Sequence, residues 1–264
     1  MDALFEYKDE EIYCHHSLDL HPRPEKFLIH AHEMPEVYCF LSGRGSFLVE
    51  GAHYSLCPGD LLLLRPAEAH RMMILPDEPY ERIAIHFPLT LFDSLDPTRM
   101  LLRPFFDREL GAHNRYAAQD HPALHPLIGQ MTPSRFQIIS RLMRLLTELS
   151  ALRDFSARPP ERPGDFAQTL VRYVNEHLYE PLSLQGISDV FQRSASQISR
   201  VFRQATGTSL WEYVLIKRLL AARARLQRGD SAVHTALACG FTDYSSFYRA
   251  YTRRFGHSPR ADKE

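Results

Sequence analysis

The spacing of hydrophobic positions changes its period along the chain. Short runs rich in branched and aromatic residues lie at 37–41, 46–49, 61–64 and 82–87. Turn formers separate them: Ser42-Gly43-Arg44-Gly45, Glu50-Gly51 and Pro58-Gly59-Asp60. Short, evenly spaced strands with such punctuation predict a sandwich or small barrel from residue 1 to about 90. Residues 91–133 carry prolines at 97, 104, 122, 126 and 133 and give no clear period. From 134 to about 155 the apolar positions Ile138, Ile139, Leu142, Leu145, Leu146, Leu149 and Leu152 follow helical spacing, with Arg141, Arg144 and Glu148 off the stripe. An exposed stripe of Ile139, Leu142, Leu146 and Leu149 would need a partner, so this helix is expected to pair two chains, packing on its own barrel being the alternative. Residues 157–164, Ala-Arg-Pro-Pro-Glu-Arg-Pro-Gly, break all periodicity and read as a linker. Helical patterns follow at about 166–178, 183–190, 195–206, 210–228, 232–239 and 243–255. Ser183, Ser194, Ser231 and Thr242 stand at N-cap positions, and Gly207 and Gly256 where a left-handed residue ends a helix.

The helical part contains one unit twice. Ile198-Ser-Arg200-Val-Phe202-Arg-Gln-Ala-Thr-Gly207-Thr-Ser209 returns, 49 positions later, as Phe247-Tyr-Arg249-Ala-Tyr251-Thr-Arg-Arg-Phe-Gly256-His-Ser258. Each copy follows a short helical segment and a tight turn, which is the build of a DNA-reading helix-turn-helix. Ser188 and Ala236 are small where one helix must cross the next. Ile198, Phe202, Phe247 and Tyr251 form inward stripes. Ser196, Gln197, Ser199, Arg200 and Arg203 are then outward on one reading helix, and Tyr244, Ser245, Ser246, Arg249 and Arg253 on the other. Arg can donate two hydrogen bonds to a guanine edge and Ser can bond several bases, although any single Arg can equally meet a phosphate or only water. Lys217, Arg218, Arg223, Arg225 and Arg228 on the connecting helix are expected to cover its packing or stay in solvent.

Charge supports this division. From residue 165 onward 14 Lys+Arg stand against 9 Asp+Glu, about +5, and the first 164 residues hold 17 against 23, about −6. A basic half beside an acidic half fits a nucleic-acid module fused to something else. Cys14, Cys39, Cys57 and Cys239 are scattered, without a CxxC pair, which argues against a zinc ribbon or a disulfide framework and suits a reducing cytosol. The first residues lack a basic segment followed by an apolar core, and no apolar run is long enough to span a bilayer, so neither export nor a membrane partner is expected and the location read is cytoplasmic.

Residues 183–259 closely resemble the AraC/XylS family of bacterial transcription regulators. The second copy carries the most specific stretch: Gly240-Phe241-Thr242-Asp243, Ser246-Phe247, Arg249 and Phe255-Gly256-His-Ser258-Pro259. The first carries Ser194, Ile198, Arg200, Phe202 and Gly207, then Tyr213, Arg218-Leu219 and Ala222. His234 and Thr235 depart from the usual acid and Ile, and Tyr251 from the usual Phe. Thr235 is expected to weaken local packing.

His30-Ala-His32-Glu33-Met-Pro-Glu36 with Gly43 resembles the first cupin signature, and Pro58-Gly59-Asp60, Pro66 and His70 the second. That resemblance implies a double-stranded β-barrel, in which the equivalents of His30, His32, Glu36 and His70 can bind one divalent ion, such as Fe, Mn, Ni or Zn. The same residues, with Tyr38, can instead line a pocket for a small organic effector; His86 can face either pocket or core.

Together these readings give a two-domain β + α protein: a cupin-like effector-binding and dimerisation domain over 1–157, a linker at 158–164, and an all-α DNA-binding domain with two helix-turn-helix units over 165–264. The function they imply is a non-enzymatic, effector-responsive, sequence-specific transcription regulator, more an activator than a repressor. Its expected partners are double-stranded DNA, a small molecule and a second copy, with RNA polymerase implied by the family resemblance. DNA binding itself is expected to need no cofactor. The alternatives are a metal-dependent cupin enzyme fused to a DNA-binding domain, or a constitutive DNA-binding protein whose barrel only dimerises.

Overall fold

The computed structural model describes residues 2–75, 78–129, 131–152 and 166–263. The expected linker 158–164 and the domain boundaries at 157 and 165 lie outside the described residues.

Eight strands come first: β1 (Asp2–Lys8), β2 (Tyr13–Asp19), β3 (Glu36–Ser42), β4 (Gly45–Val49), β5 (Ala52–Ser55), β6 (Leu61–Leu64), β7 (His70–Ile74) and β8 (Tyr80–His86). A short helix α1 (Arg103–Phe106), strand β9 (Arg115–Tyr116), helix α2 (His125–Ile128) and the long helix α3 (Arg135–Ala151) follow. Two antiparallel sheets face each other, ordered β1-β2-β8-β3-β6-β9 and β5-β4-β7.

The larger sheet is buried on both faces, which explains the unbroken Leu61–Leu64 run. Alternation sends Tyr38, Phe40, Leu62, Leu64 and Ala84 to the barrel interior with Phe47 and Met72. It sends Val37, Cys39, Leu61, Leu63, Ile83 and Ile85 to the outer face, where α3 and the 91–131 segment cover them. Here the expectation of an exposed apolar stripe is corrected. Leu142, Leu146 and Leu149 are fully buried within one chain, and Ile139 packs against the same cluster. The stripe belongs to the core because the sheet's outer face is itself apolar and needs a cover. Leu142→Glu with Leu149→Glu should therefore abolish folding of the barrel instead of giving a folded monomer, since each buries a carboxylate without a partner. Circular dichroism checks this: a native spectrum for the double variant contradicts the packing.

The second part is helical: α4 (Phe166–Glu176), α5 (Leu184–Phe191), α6 (Ala195–Thr206), α7 (Leu210–Gln227), α8 (Ala232–Ala238) and α9 (Tyr244–Phe255). Ser183, Ser194 and Ser231 cap α5, α6 and α8 as expected, and Ser194 with Gln197 forms a full capping box. The cap of α9 is Asp243 instead of Thr242. Gly207 and Gly256 end α6 and α9 at φ 81° and 78°. Ile198, Phe202, Phe247 and Tyr251 are fully buried, and Ser188 and Ala236 sit at close crossings. Thr235 is buried with its hydroxyl unpartnered, so the departure from the family's Ile does cost a polar group its hydrogen bond. Tyr251 uses its extra hydroxyl to donate to Asp262.

Candidate sensor cavity and DNA interface

The barrel interior holds a cavity of about 560 Å³, and every residue expected to bind an effector, His30, His32, Glu36, Tyr38 and His70, lines it. Three imidazoles are oriented alike. Nδ1 of His30, His32 and His70 meets the carbonyl oxygens of Leu28 (3.0 Å), Met34 (2.6 Å) and Glu68 (2.7 Å). A carbonyl can only accept, so each Nδ1 carries the proton and Nε2 is left for the cavity. Nε2 of His32 lies 2.8 Å from Glu36 Oε2, and Nε2 of His70 3.4 Å from the same oxygen. Burial pulls His32 down, but the hydrogen bond and charge of Glu36 outweigh it and raise its pKa. Burial pushes Glu36 up, yet the hydrogen bond and charge of His32, with the His86 and His70 rings close by, bring it well below the usual carboxylate range.

The four side chains expected to share a metal ion do not converge as a set. Among the described residues the donor atoms lying within 4.8 Å of one another belong to His32, Glu36 and His86. His86 joins the group, and His30 and His70 fall outside it, because β8 pairs with β3 at Glu36↔His86 and sets His86 beside the carboxylate. Two imidazoles and a carboxylate, one imidazole fixed through Nδ1 to a carbonyl, are a donor set that fits a first-row divalent cation.

The sequence reading left His86 between pocket and core and missed the rest of the far wall. Tyr80, Arg82 and His86 line the cavity from β8, and Tyr13, His15 and Ser17 from β2. The alternation 80-82-84-86 carries this information, but only the pairing with β2 and β3 says which face is inward. Burial drives the pKa of His15 and His86 down to about 4, helped at His15 by the charge of Arg82. Both rings are thus neutral when folded, while in the unfolded chain they titrate near an ordinary imidazole value of about 6.5. A base whose folded pKa is depressed stabilises the fold above its unfolded pKa and loses that contribution as pH falls. The melting temperature should fall as pH drops from about 6.5 to 4, and less steeply in His86→Gln. An unchanged slope in that variant contradicts the assignment.

The cavity wall is also the wall between the two parts of the protein. Ala31 and Ala69, neighbours of His30, His32 and His70, pack in one cluster with Val171 of α4, Ala205 of α6 and Tyr213 of α7. The hairpin between β4 and β5 turns at Glu50 (φ 51°) and Gly51 (φ 83°). A left-handed Glu is strained, and a side chain on Gly51 would press on Val171. The Glu50 carboxylate accepts from Lys217 Nζ at 2.6 Å, from Asn175 Nδ2 at 2.9 Å, from the Tyr213 hydroxyl, and from the Ala69 backbone N–H at 2.5 Å. Glu50 and Lys217 are 1% and 6% exposed at the side chain, so this is a buried ion pair joining barrel to helices.

On the opposite side the two reading helices are open. Ser196, Gln197, Ser199, Arg200 and Arg203 on α6 are exposed, as are Tyr244, Ser245, Arg249 and Arg253 on α9; Ser246 is half-buried and accepts from Arg249 at 3.3 Å. Gln197 spends its side-chain oxygen on the capping box and the Ser196 hydroxyl meets that of Ser194 at 3.1 Å, which leaves Ser199, Arg200 and Arg203 as the more open donors of the expected α6 set. Two of the connecting-helix cations are tied into the structure. Arg218 donates to the carbonyls of Leu178, Gly240 and Glu180, clamping the turn before α9, and Arg223 pairs with Asp262 and Glu33.

A barrel with a lined cavity, docked on paired helix-turn-helix units with exposed arginines, defines a ligand-sensing class of DNA-binding protein. The family model for the AraC-like ligand binding domain matches residues 21–158, and that for a helix-turn-helix domain matches residues 187–264. The chain belongs to the AraC family of DNA-binding transcription regulators. It is 25% identical to the HTH-type transcriptional activator RhaS of Escherichia fergusonii, over 93% of this chain and 95% of that protein. It is 26% identical to the HTH-type transcriptional regulator YpdC of Escherichia coli, over 86% and 81%. The regulatory protein SoxS of Salmonella typhimurium is 29% identical over 35% of this chain and 87% of its own length. Among the described residues no helix is long and apolar enough to cross a membrane.

Proposed function

We propose that the chain is a one-component transcription activator whose DNA-binding helices respond to a small molecule in the barrel. One observation carries this reading: the segment around Ala69 and His70 has the cavity on one side and the Glu50–Lys217 contact with α7 on the other. A ligand that shifts His70 shifts the seat of the DNA-binding helices, and it regulates only if it favours one arrangement over the other. Arg200 and Arg249, at equivalent exposed positions, are the base-reading candidates, with Arg203 and Arg253 toward phosphates. Two copies pair through the outer face of α3, where Phe136 is 80% and Met143 37% exposed, since its inner stripe is taken. RNA polymerase contact, a cytoplasmic location and the absence of catalysis belong to the same reading. Its test is the affinity of the full chain for a selected duplex across a metabolite panel, in the native protein and in His32→Ala and Glu36→Gln. A ligand response lost in both variants supports it; a response retained in both moves the sensing site elsewhere.

A second reading is favoured by the donor atoms of His32, Glu36 and His86, which lie within 4.8 Å of one another: these three residues hold a divalent cation. Such an ion would supply a Lewis-acidic point for an oxygen of the effector. Elemental analysis of protein purified without chelator tests it: stoichiometric metal, lost in His86→Ala, supports it, and metal-free protein removes it.

A further inference from the structure

Arg82 stands in the cavity wall without an ion-pair partner among the described residues. Its Nη1 donates to the Tyr80 hydroxyl at 3.0 Å, and its Nε and Nη2 both meet His15 Nε2 at 3.3 Å. Its carbon lies 5.5 Å from the centre of the Tyr80 ring. Every one of these partners is neutral. His15 receives the guanidinium's protons on Nε2, so its own proton is on Nδ1. Tyr80 passes its hydroxyl on to Tyr38, 2.5 Å away. Three carboxylates line the cavity, Glu6, Asp19 and Glu36; among the described residues none forms an ion pair with Arg82, and Glu36 is engaged by His32 and His70. A guanidinium removed from bulk water ordinarily finds an anion, and its planar fork matches a carboxylate in two parallel bonds. Phe27, Phe47 and Met72 give the neighbouring walls an apolar character suited to a compact carbon body.

We infer that the barrel binds a small organic carboxylate, its acid group held by Arg82 with the Tyr80 hydroxyl beside it and its body against Phe27, Phe47 and Met72. The inference rests on the sensor reading above and narrows it to a chemical class. The histidine cluster across the cavity then meets the ligand's far end with hydrogen-bond donors and acceptors.

The test uses acids paired with their uncharged amides, namely lactate and lactamide, hexanoate and hexanamide, phenylacetate and phenylacetamide. Binding to the full chain is measured by calorimetry and saturation-transfer NMR at neutral pH and constant ionic strength. At least one acid should bind at least about 10-fold tighter than its amide, and Arg82→Gln should weaken that acid roughly 10- to 100-fold while leaving the amide unchanged. Arg82→Lys, which keeps the charge but loses the fork, should fall between the two and serves as the folding control. Equal binding of acid and amide overturns the carboxylate assignment. So does an acid indifferent to Arg82→Gln, or failure of every acid to bind at about 20 mM, a range that includes even weak single-group contacts. Duplex affinity, measured alongside, separates this from the sensor reading. Acids that bind through Arg82 without altering DNA affinity leave the ligand class standing and remove the sensing role. Amides that alter DNA affinity where acids do not leave the sensing role standing and remove the class.

Discussion

Glu50→Ala is expected to destabilise the protein by about 3–5 kcal/mol, because it leaves the Lys217 ammonium buried without its counter-charge. It also removes the acceptor of the Tyr213 hydroxyl, one partner of Asn175 and the bond to the Ala69 N–H. Removing both charges at once is a different experiment. In Glu50→Gln with Lys217→Met the pocket keeps its volume and the desolvation of both ions disappears, an exchange that is often neutral or stabilising. The double variant should therefore melt close to the native protein, yet lose the directional tie between barrel and α7. Small-angle scattering should then show a larger radius of gyration, and a ligand in the barrel should no longer alter DNA affinity. Denaturant unfolding checks the single variant: a loss below about 1 kcal/mol would mean that the contact does not hold the two parts together.

The DNA-reading assignment makes the second large prediction. Arg200→Ala and Arg249→Ala should each cost roughly 1–3 kcal/mol on the best duplex if each reads a guanine. The two sites lie on separate helices, so the losses should add, and the double variant should bind between about 30- and 20,000-fold more weakly. Arg203→Ala should weaken binding to all sequences alike and flatten the salt dependence, as expected for a phosphate contact. Fluorescence anisotropy at two salt concentrations separates the cases. Arg249→Ala with unchanged affinity and unchanged sequence preference would show that α9 does not read bases.

The helical part was legible almost to the residue, since its limits are set by local chemistry. Serine caps and left-handed glycines act within four residues of the helix ends they define, and a 3.6-residue stripe names its own inward face. The barrel was legible only where strands are apolar. β1 and β2 were passed over because their alternation mixes His, Glu and Lys with Phe and Tyr, the composition of strands that line a polar cavity. The same effect hid Arg82 and His15 from the candidate site. The α3 stripe was read correctly as apolar and wrongly as exposed, since its cover, the outer face of the larger sheet, is visible only when Leu61 and Leu63 are known to point away from the cavity. Glu50 read as a turn residue and Lys217 as a cation that covers its own helix or stays in solvent. Nothing local to either announces a bond across 167 positions of chain.

Hydroxyl-radical footprinting of the full chain on its selected duplex tests the central claim most directly. Two reading helices held by α7 should enter successive major grooves on one side of the DNA, giving protection in two segments about 10 bp apart for each bound chain. Arg200→Ala should thin one segment and Arg249→Ala the other. Protection confined to a single groove segment per chain, affected by only one of the two substitutions, would contradict a protein that reads DNA with both of its helix-turn-helix units.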